Sequence, residues 1–78
     1  MDFRTFGIAA DIISAPPLFS EISFPITVAE LRRYLSKTYP PLNEISHYMV
    51  AVNQAYASDE DIINLQDEIA IIPPVSGG

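Results

Sequence analysis

Thr27 and Glu30 stand three residues apart at the head of an apolar-periodic segment that runs into Pro40-Pro41. This bracket commits the chain to one well-formed helix. A T-x-x-E pair satisfies two otherwise orphan amides reciprocally: the threonine hydroxyl takes one backbone N–H and the glutamate carboxylate reaches back to the other. Ile26 and Leu31 fit the hydrophobic staple that accompanies such a box. Val28, Leu31, Leu35 and Thr38 follow helical spacing, and Arg32, Arg33 and Lys37 lie toward the C-terminal half, where the macrodipole favours cations. The two prolines stop the helix, since neither supplies a backbone donor.

Around this helix the pattern is strand-like. Residues 3–10 read as a first strand and residues 18–24 as a second, joined through Ser14-Ala15-Pro16-Pro17 as a hairpin with an irregular loop. After a loop over residues 42–47, the apolar runs 49–52 and 55–57 flank Asn53-Gln54, a two-residue link in which asparagine accepts positive φ. An acidic stretch, Ser58-Asp59-Glu60-Asp61, and a turn over residues 64–67 lead to a last strand at 68–72. Its near-continuous aliphatic character suits a central strand covered on both faces. The sum is an α+β layout, one helix crossing one sheet. At 78 residues it is a single small domain near the lower limit for a self-sufficient core, and the apolar share of 49% is ample for one.

Composition removes several function classes. The chain has no cysteine, hence no disulfide, thiolate metal site or cysteine nucleophile. Its net charge of −6 disfavours nucleic acid and favours a basic protein partner. No apolar run approaches the ~20 residues of a membrane span, and the N-terminal residues do not read as a signal or transit peptide, so a cytoplasmic location and no membrane association are expected. His47 is the lone histidine, and Asp59, Glu60 and Asp61 lack the spacing of a calcium loop, so no metal is expected. No glycine-rich phosphate loop is present, so no cofactor is expected on this chain. Arg32, Arg33 and Lys37 read as a solvent face of the helix, and the acidic stretch as a solvated turn.

What remains is the ending. Pro73-Pro74-Val75-Ser76-Gly77-Gly78 follows the last strand directly, which divides the chain into a domain over residues 1–72 and a tail over 73–78. The prolines cannot continue a ladder and hold the chain extended, and glycines without Cβ atoms can pass through a narrow channel. Such a tail can carry a terminal carboxyl group into the active site of another protein. Ser76 has no base visible in the sequence to make it a nucleophile. If Phe3, Thr5 and Gly7 face the helix, Phe6 and Ile8 lie on the open face of the sheet, where Phe6 would be a partner anchor. Ile72 and Val75 continue that surface toward the tail.

The order of elements resembles the ubiquitin-like β-grasp fold. Val52-Asn53-Gln54, together with the final strand and Pro-Pro-Val-Ser-Gly-Gly, resembles the family of small, sulfur-carrying subunits of molybdopterin synthase. Phe6-Gly7 stands where that family often has Phe-Ala, and Leu65-Gln66-Asp67 replaces its usual Asp-Gly-Asp, so the turn before the last strand must form without glycine. The resemblance implies that an ATP-dependent activating enzyme related to the ubiquitin-activating family adenylates the Gly78 carboxyl group. Sulfur from a persulfide donor then gives a thiocarboxylate. Gly77 provides clearance, Pro73 to Ser76 form the insertion arm, and the large catalytic subunit receives the tail, giving a heterotetramer. On this reading the chain supplies a reagent and is not itself the catalyst. Two alternatives share the diglycine: a sulfur carrier for the thiamine thiazole or a transfer RNA base, and a ubiquitin-like modifier conjugated through Gly78.

Overall fold

The bracketed helix forms where the capping residues place it. In the computed structural model, which describes residues 2–14, 19–45 and 47–74, the chain order is β1 (Asp2–Thr5), α1 (Ile8–Ile12), β2 (Ile26–Thr27), α2 (Val28–Thr38), β3 (Met49–Val52), β4 (Ala55–Tyr56), β5 (Ile62–Ile63) and β6 (Glu68–Ile72). Short 3-10 turns occupy Phe19–Glu21 and Pro40–Glu44. At the head of α2, Glu30 N–H donates to Thr27 Oγ1 at 3.1 Å and Thr27 N–H donates to Glu30 Oε1 at 3.0 Å, the reciprocal box. Two more amides of the first turn are satisfied from outside: Val28 N–H donates to Asp61 O at 2.9 Å and Ala29 N–H to Asp59 O at 3.0 Å. The acidic stretch therefore holds the helix start with its main chain. Val28, Leu31 and Leu35 are buried, as is the staple residue Ile26, while Thr38 at the end of the stripe is exposed.

Four strands make the main sheet in the order β1-β6-β3-β4, and β2 pairs with β5 in a small second sheet. β1 runs parallel to β6, and β3 runs antiparallel to both β6 and β4. β6 is thus central. Its alternate residues Ile69 and Ile71 are fully buried against the helix side together with Val50, Leu31, Leu35 and Leu42. The opposite face, bearing Ala70 and Ile72, is covered by no described element of this chain, so the expectation of cover on both faces is corrected to one.

The expected hairpin of 3–10 with 18–24 does not form. β1 stops at Thr5, Gly7 takes φ 57° and ψ −137°, and α1 begins. The run after Gly7 buries Ala9 and Ile13 and half-buries Ile12, a spacing of three and four residues that suits a helix, and its apolar density hid that period. Over residues 19–24 there is a 3-10 turn followed by chain that joins neither sheet, whose Ile22 and Phe24 pack against the core. Pro25 would remove a ladder donor there, and pairing starts only at Ile26. Residues 15–18 of the expected connection lie outside the described residues.

The second hairpin forms as read. Asn53 and Gln54 have φ of 53° and 71°, the paired positive values of a type I′ turn. Asn53 also ties this turn to the start of β6. Its amide donates to Asp67 Oδ1 at 3.1 Å, its Oδ1 accepts from Glu68 N–H at 2.9 Å, and its own N–H donates to Glu68 O at 2.8 Å. The glycine-free turn before β6 closes through Asp67: Asn64 N–H donates to Asp67 Oδ2 at 2.8 Å, and Asp67 N–H to Asn64 O at 3.0 Å. A carboxylate collecting donors does here what a glycine turn would do by conformation.

Candidate functional site

The open face follows from strand alternation and register. With Ile69 and Ile71 inward on β6, Glu68, Ala70 and Ile72 point outward; the pairs Arg4↔Ala70, Ala51↔Ala70, Met49↔Ile72 and Ala51↔Tyr56 carry the same face across all four strands. Phe6 extends β1 by one ladder bond, its N–H donating to Ile71 O at 3.2 Å, and its ring joins this face. Ala51 and Ala70 at the centre are small. They floor a shallow depression of about 360 Å³ rimmed by Phe6, Tyr56 and Ile72, with Arg4 and Glu68 also lining it.

Large apolar groups are left in solvent here: Phe6 is 48% exposed, Met49 43% and Tyr56 67%. Charge sits to one side, where Arg4 Nε approaches Asp2 Oδ2 at 3.3 Å and Glu68 Oε2 at 3.5 Å. An apolar patch flanked by polar groups is the composition of a protein-binding surface. Phe6 and Ile72 are brought together on it as the alternation implied. Ile8 is also exposed but stands on α1, not on a strand. Tyr56, Met49 and the alanine floor were not picked out as site residues from the sequence; the register imposed by the Asn53-Gln54 turn, which sets Tyr56 opposite Ala51, was the available signal.

The tail continues directly from the end of β6. Pro73 is half-buried, Pro74 is exposed, and Val75, Ser76, Gly77 and Gly78 lie outside the described residues. Pro73 packs against the chain where β1 gives way to α1: a Cβ built on Gly7 would stand 2.9 Å from Pro73 Cγ. Pro74 meets a second groove of about 770 Å³ between α2 and the Pro40–Glu44 turn, lined also by Arg32, His47, Tyr48 and Asp59.

Arg32 is not part of a plain solvent face. Its Nε pairs with Asp59 Oδ1 at 2.9 Å, one terminal nitrogen donates to Tyr48 O at 3.0 Å, and the guanidinium lies 4.7 Å from the centroid of the Tyr48 ring. One arginine thus joins the helix, the acidic turn and the approach to β3. Burial pushes the Tyr48 hydroxyl above its ordinary pKa, with the Arg32 charge opposing the shift. His47 is exposed. Among the described residues no group of histidine, aspartate or glutamate is arranged to hold a metal, and no helix is long and apolar enough to cross a membrane.

One main helix laid across one face of a mixed sheet, with the central strand running out into a proline-led tail, defines a ubiquitin-like β-grasp protein. SAMP1 from Haloferax volcanii has this fold: the superposition reaches a TM-score of 0.72 over 97% of this chain and 96% of that one, at 22% sequence identity. Residues 6–78 match the ThiS family, and the chain belongs to it. Similar relatives include the molybdopterin synthase sulfur carrier subunit of Dictyostelium discoideum, 42% identical over 94% of this chain and 90% of that protein. The Caenorhabditis elegans subunit of the same name is 44% identical over the same shares, and that of Arabidopsis thaliana 34% identical over 94% and 77%.

Proposed function

We propose that the chain is the sulfur-carrying small subunit of molybdopterin synthase and that Gly78 is its working end. The observation that supports this most directly is the sequence likeness to sulfur carrier subunits over 94% of the chain, beside a ThiS family match that runs through residue 78. The geometry adds physical sense. A carboxylate is a poor electrophile, so its oxygen first attacks the α-phosphorus of ATP on an activating enzyme, releasing pyrophosphate and leaving an acyl adenylate. The terminal sulfur of a persulfide then attacks the carbonyl carbon and AMP leaves. Reduction of the resulting acyl disulfide by a thiol frees the thiocarboxylate. This route lets a cysteine-free chain carry sulfur.

The loaded tail enters the large catalytic subunit, where its sulfur passes to the pyranopterin precursor of the molybdenum cofactor. Acid, base and phosphate-binding groups belong to that partner. Phe6, Ile72 and Val75, with Tyr56 and Met49 beside them, form the surface that docks on it, and the complex is a cytoplasmic heterotetramer. Pro73, Pro74, Ser76 and Gly77 are the arm. Intact-mass measurement of the protein from a host with the cofactor pathway tests the reading. The mass rises by the difference between one sulfur and one oxygen, and the rise disappears when Gly78 is deleted. An unchanged mass with the chain joined to lysines of other proteins would sink it in favour of a modifier.

A further inference from the structure

We propose that Gly7 is a positioning residue for the tail: its main chain is the seat on which the Pro73 ring rests, and that seat sets the direction in which the tail leaves the sheet. The inference rests on the carrier reading for its functional consequence, but the seat itself is a matter of geometry. β1 and β6 stay paired through the bond from Phe6 N–H to Ile71 O. One residue later Gly7 turns away at φ 57°, a conformation that side-chain-bearing residues rarely adopt, and its carbonyl accepts from Ala10 N–H at 3.0 Å to begin α1. Pro73 has no N–H to offer a further ladder partner, so nothing in the pairing holds it. The Pro73 ring occupies the space that a side chain at position 7 would need, with Cγ 2.9 Å and Cδ 3.8 Å from the would-be Cβ. The site already described uses Phe6 and Ile72 for contact; Gly7 acts by having no side chain.

The leverage is large. Five residues beyond Pro73 reach at most ~17 Å, so a tilt of about 10° at the root displaces the tip by roughly 3 Å. Misplacement of a reacting atom by about 1 Å can cost ~100-fold in rate unless binding corrects it. A partner channel that grips the arm can make that correction, and the loss then falls on KM more than on kcat.

The test uses the full chain as its C-terminal thiocarboxylate with the large subunit. Gly7→Val raises KM on the order of 10-fold while kcat stays within about threefold. Gly7→Val/Pro73→Ala, which removes the ring atoms that the new side chain meets, recovers part of that loss relative to Pro73→Ala alone; the remainder is the backbone strain of a β-branched residue at φ 57°, which Pro73→Ala does not relieve. Gly7→Ala, a smaller intrusion, falls between wild type and Gly7→Val and serves if valine prevents folding. In parallel, a nitroxide on Ser76→Cys reports tail direction in the isolated protein through relaxation of the sheet amides. The pattern shifts with Gly7→Ala and returns when Pro73→Ala is added. An unshifted pattern, or a KM loss that Pro73→Ala leaves untouched, overturns the proposal. Should the wild-type thiocarboxylate pass no sulfur to the large subunit, the carrier reading falls, while the relaxation pattern still decides whether Gly7 seats the tail.

Discussion

The two faces of the sheet are built from the same strands and are both largely apolar, yet they do opposite things. On the inner face Ile69, Ile71 and Val50 are at most 1% exposed and lock to α2. On the outer face the central positions shrink to Ala51 and Ala70, and the large groups Phe6, Met49 and Tyr56 stand around them half in water. Within β6 the division falls between neighbours: Ile71 serves the core and Ile72 the surface. Apolar character alone therefore does not say which face holds the domain together; closure by a helix does. The register of β6 must be secure, because a slip of one residue would exchange the two sets.

The largest expected effect comes from the closed face. Ile69→Ala removes a fully buried side chain and costs about 2–5 kcal/mol, a large part of the roughly 5–15 kcal/mol that holds a domain together, read as a lower urea midpoint. The open face should answer in binding instead. Phe6→Ala or Tyr56→Ala lowers affinity for the large subunit by about 1–3 kcal/mol and stability by less than about 1 kcal/mol; a midpoint drop equal to that of Ile69→Ala would erase the contrast. Next is the clamp that fixes register between the faces. Asn53→Ala loses its bonds to Asp67 and Glu68 as well as its tolerance of positive φ, for about 1–2 kcal/mol, whereas Asn53→Gly keeps the backbone and loses less. Equal losses would show that conformation is irrelevant there.

The smallest effect is on pH dependence. The backbone N–H of Asn64, and then the Asn53 amide, hold the Asp67 carboxyl below its ordinary value of 3.8. The backbone and hydroxyl of Thr27 hold Glu30 below 4.5. A depressed folded-state value favours the ionised form, so this stabilisation is present above the unfolded values and fades as pH falls through the lower folded ones. Unfolding midpoints should change little on account of these two groups between neutral pH and about pH 5, then decline below about pH 4. Asp67→Asn should make the acid decline shallower; an unchanged slope would count against the role given to its hydrogen bonds.

How much of this was legible in the sequence depends on whether the deciding interaction is local. The capping box, the Asn53-Gln54 turn and the β6 strand are set by residues within a few positions of one another, and each stands where it was read. The first quarter of the chain was misread because β1 pairs with a strand more than sixty residues away, while the segment after Gly7 carries apolar residues dense enough to fit either period. Arg32 looked like a surface cation because its partners, Tyr48 just before β3 and Asp59 in the acidic turn, are distant in sequence. Phe6 and Ile72 were legible as an outward pair; the depression between them was not, since it depends on Ala51 and Ala70 meeting across β3 and β6.

β6 also has a mechanical meaning. It is flanked by β1 on one side and β3 on the other, with their hydrogen bonds lying across its length. A pull on the tail along the strand axis loads those bonds together in shear instead of opening them one after another from an end. A load on the tail is therefore shared along the whole of β6 and does not peel the domain apart one bond at a time.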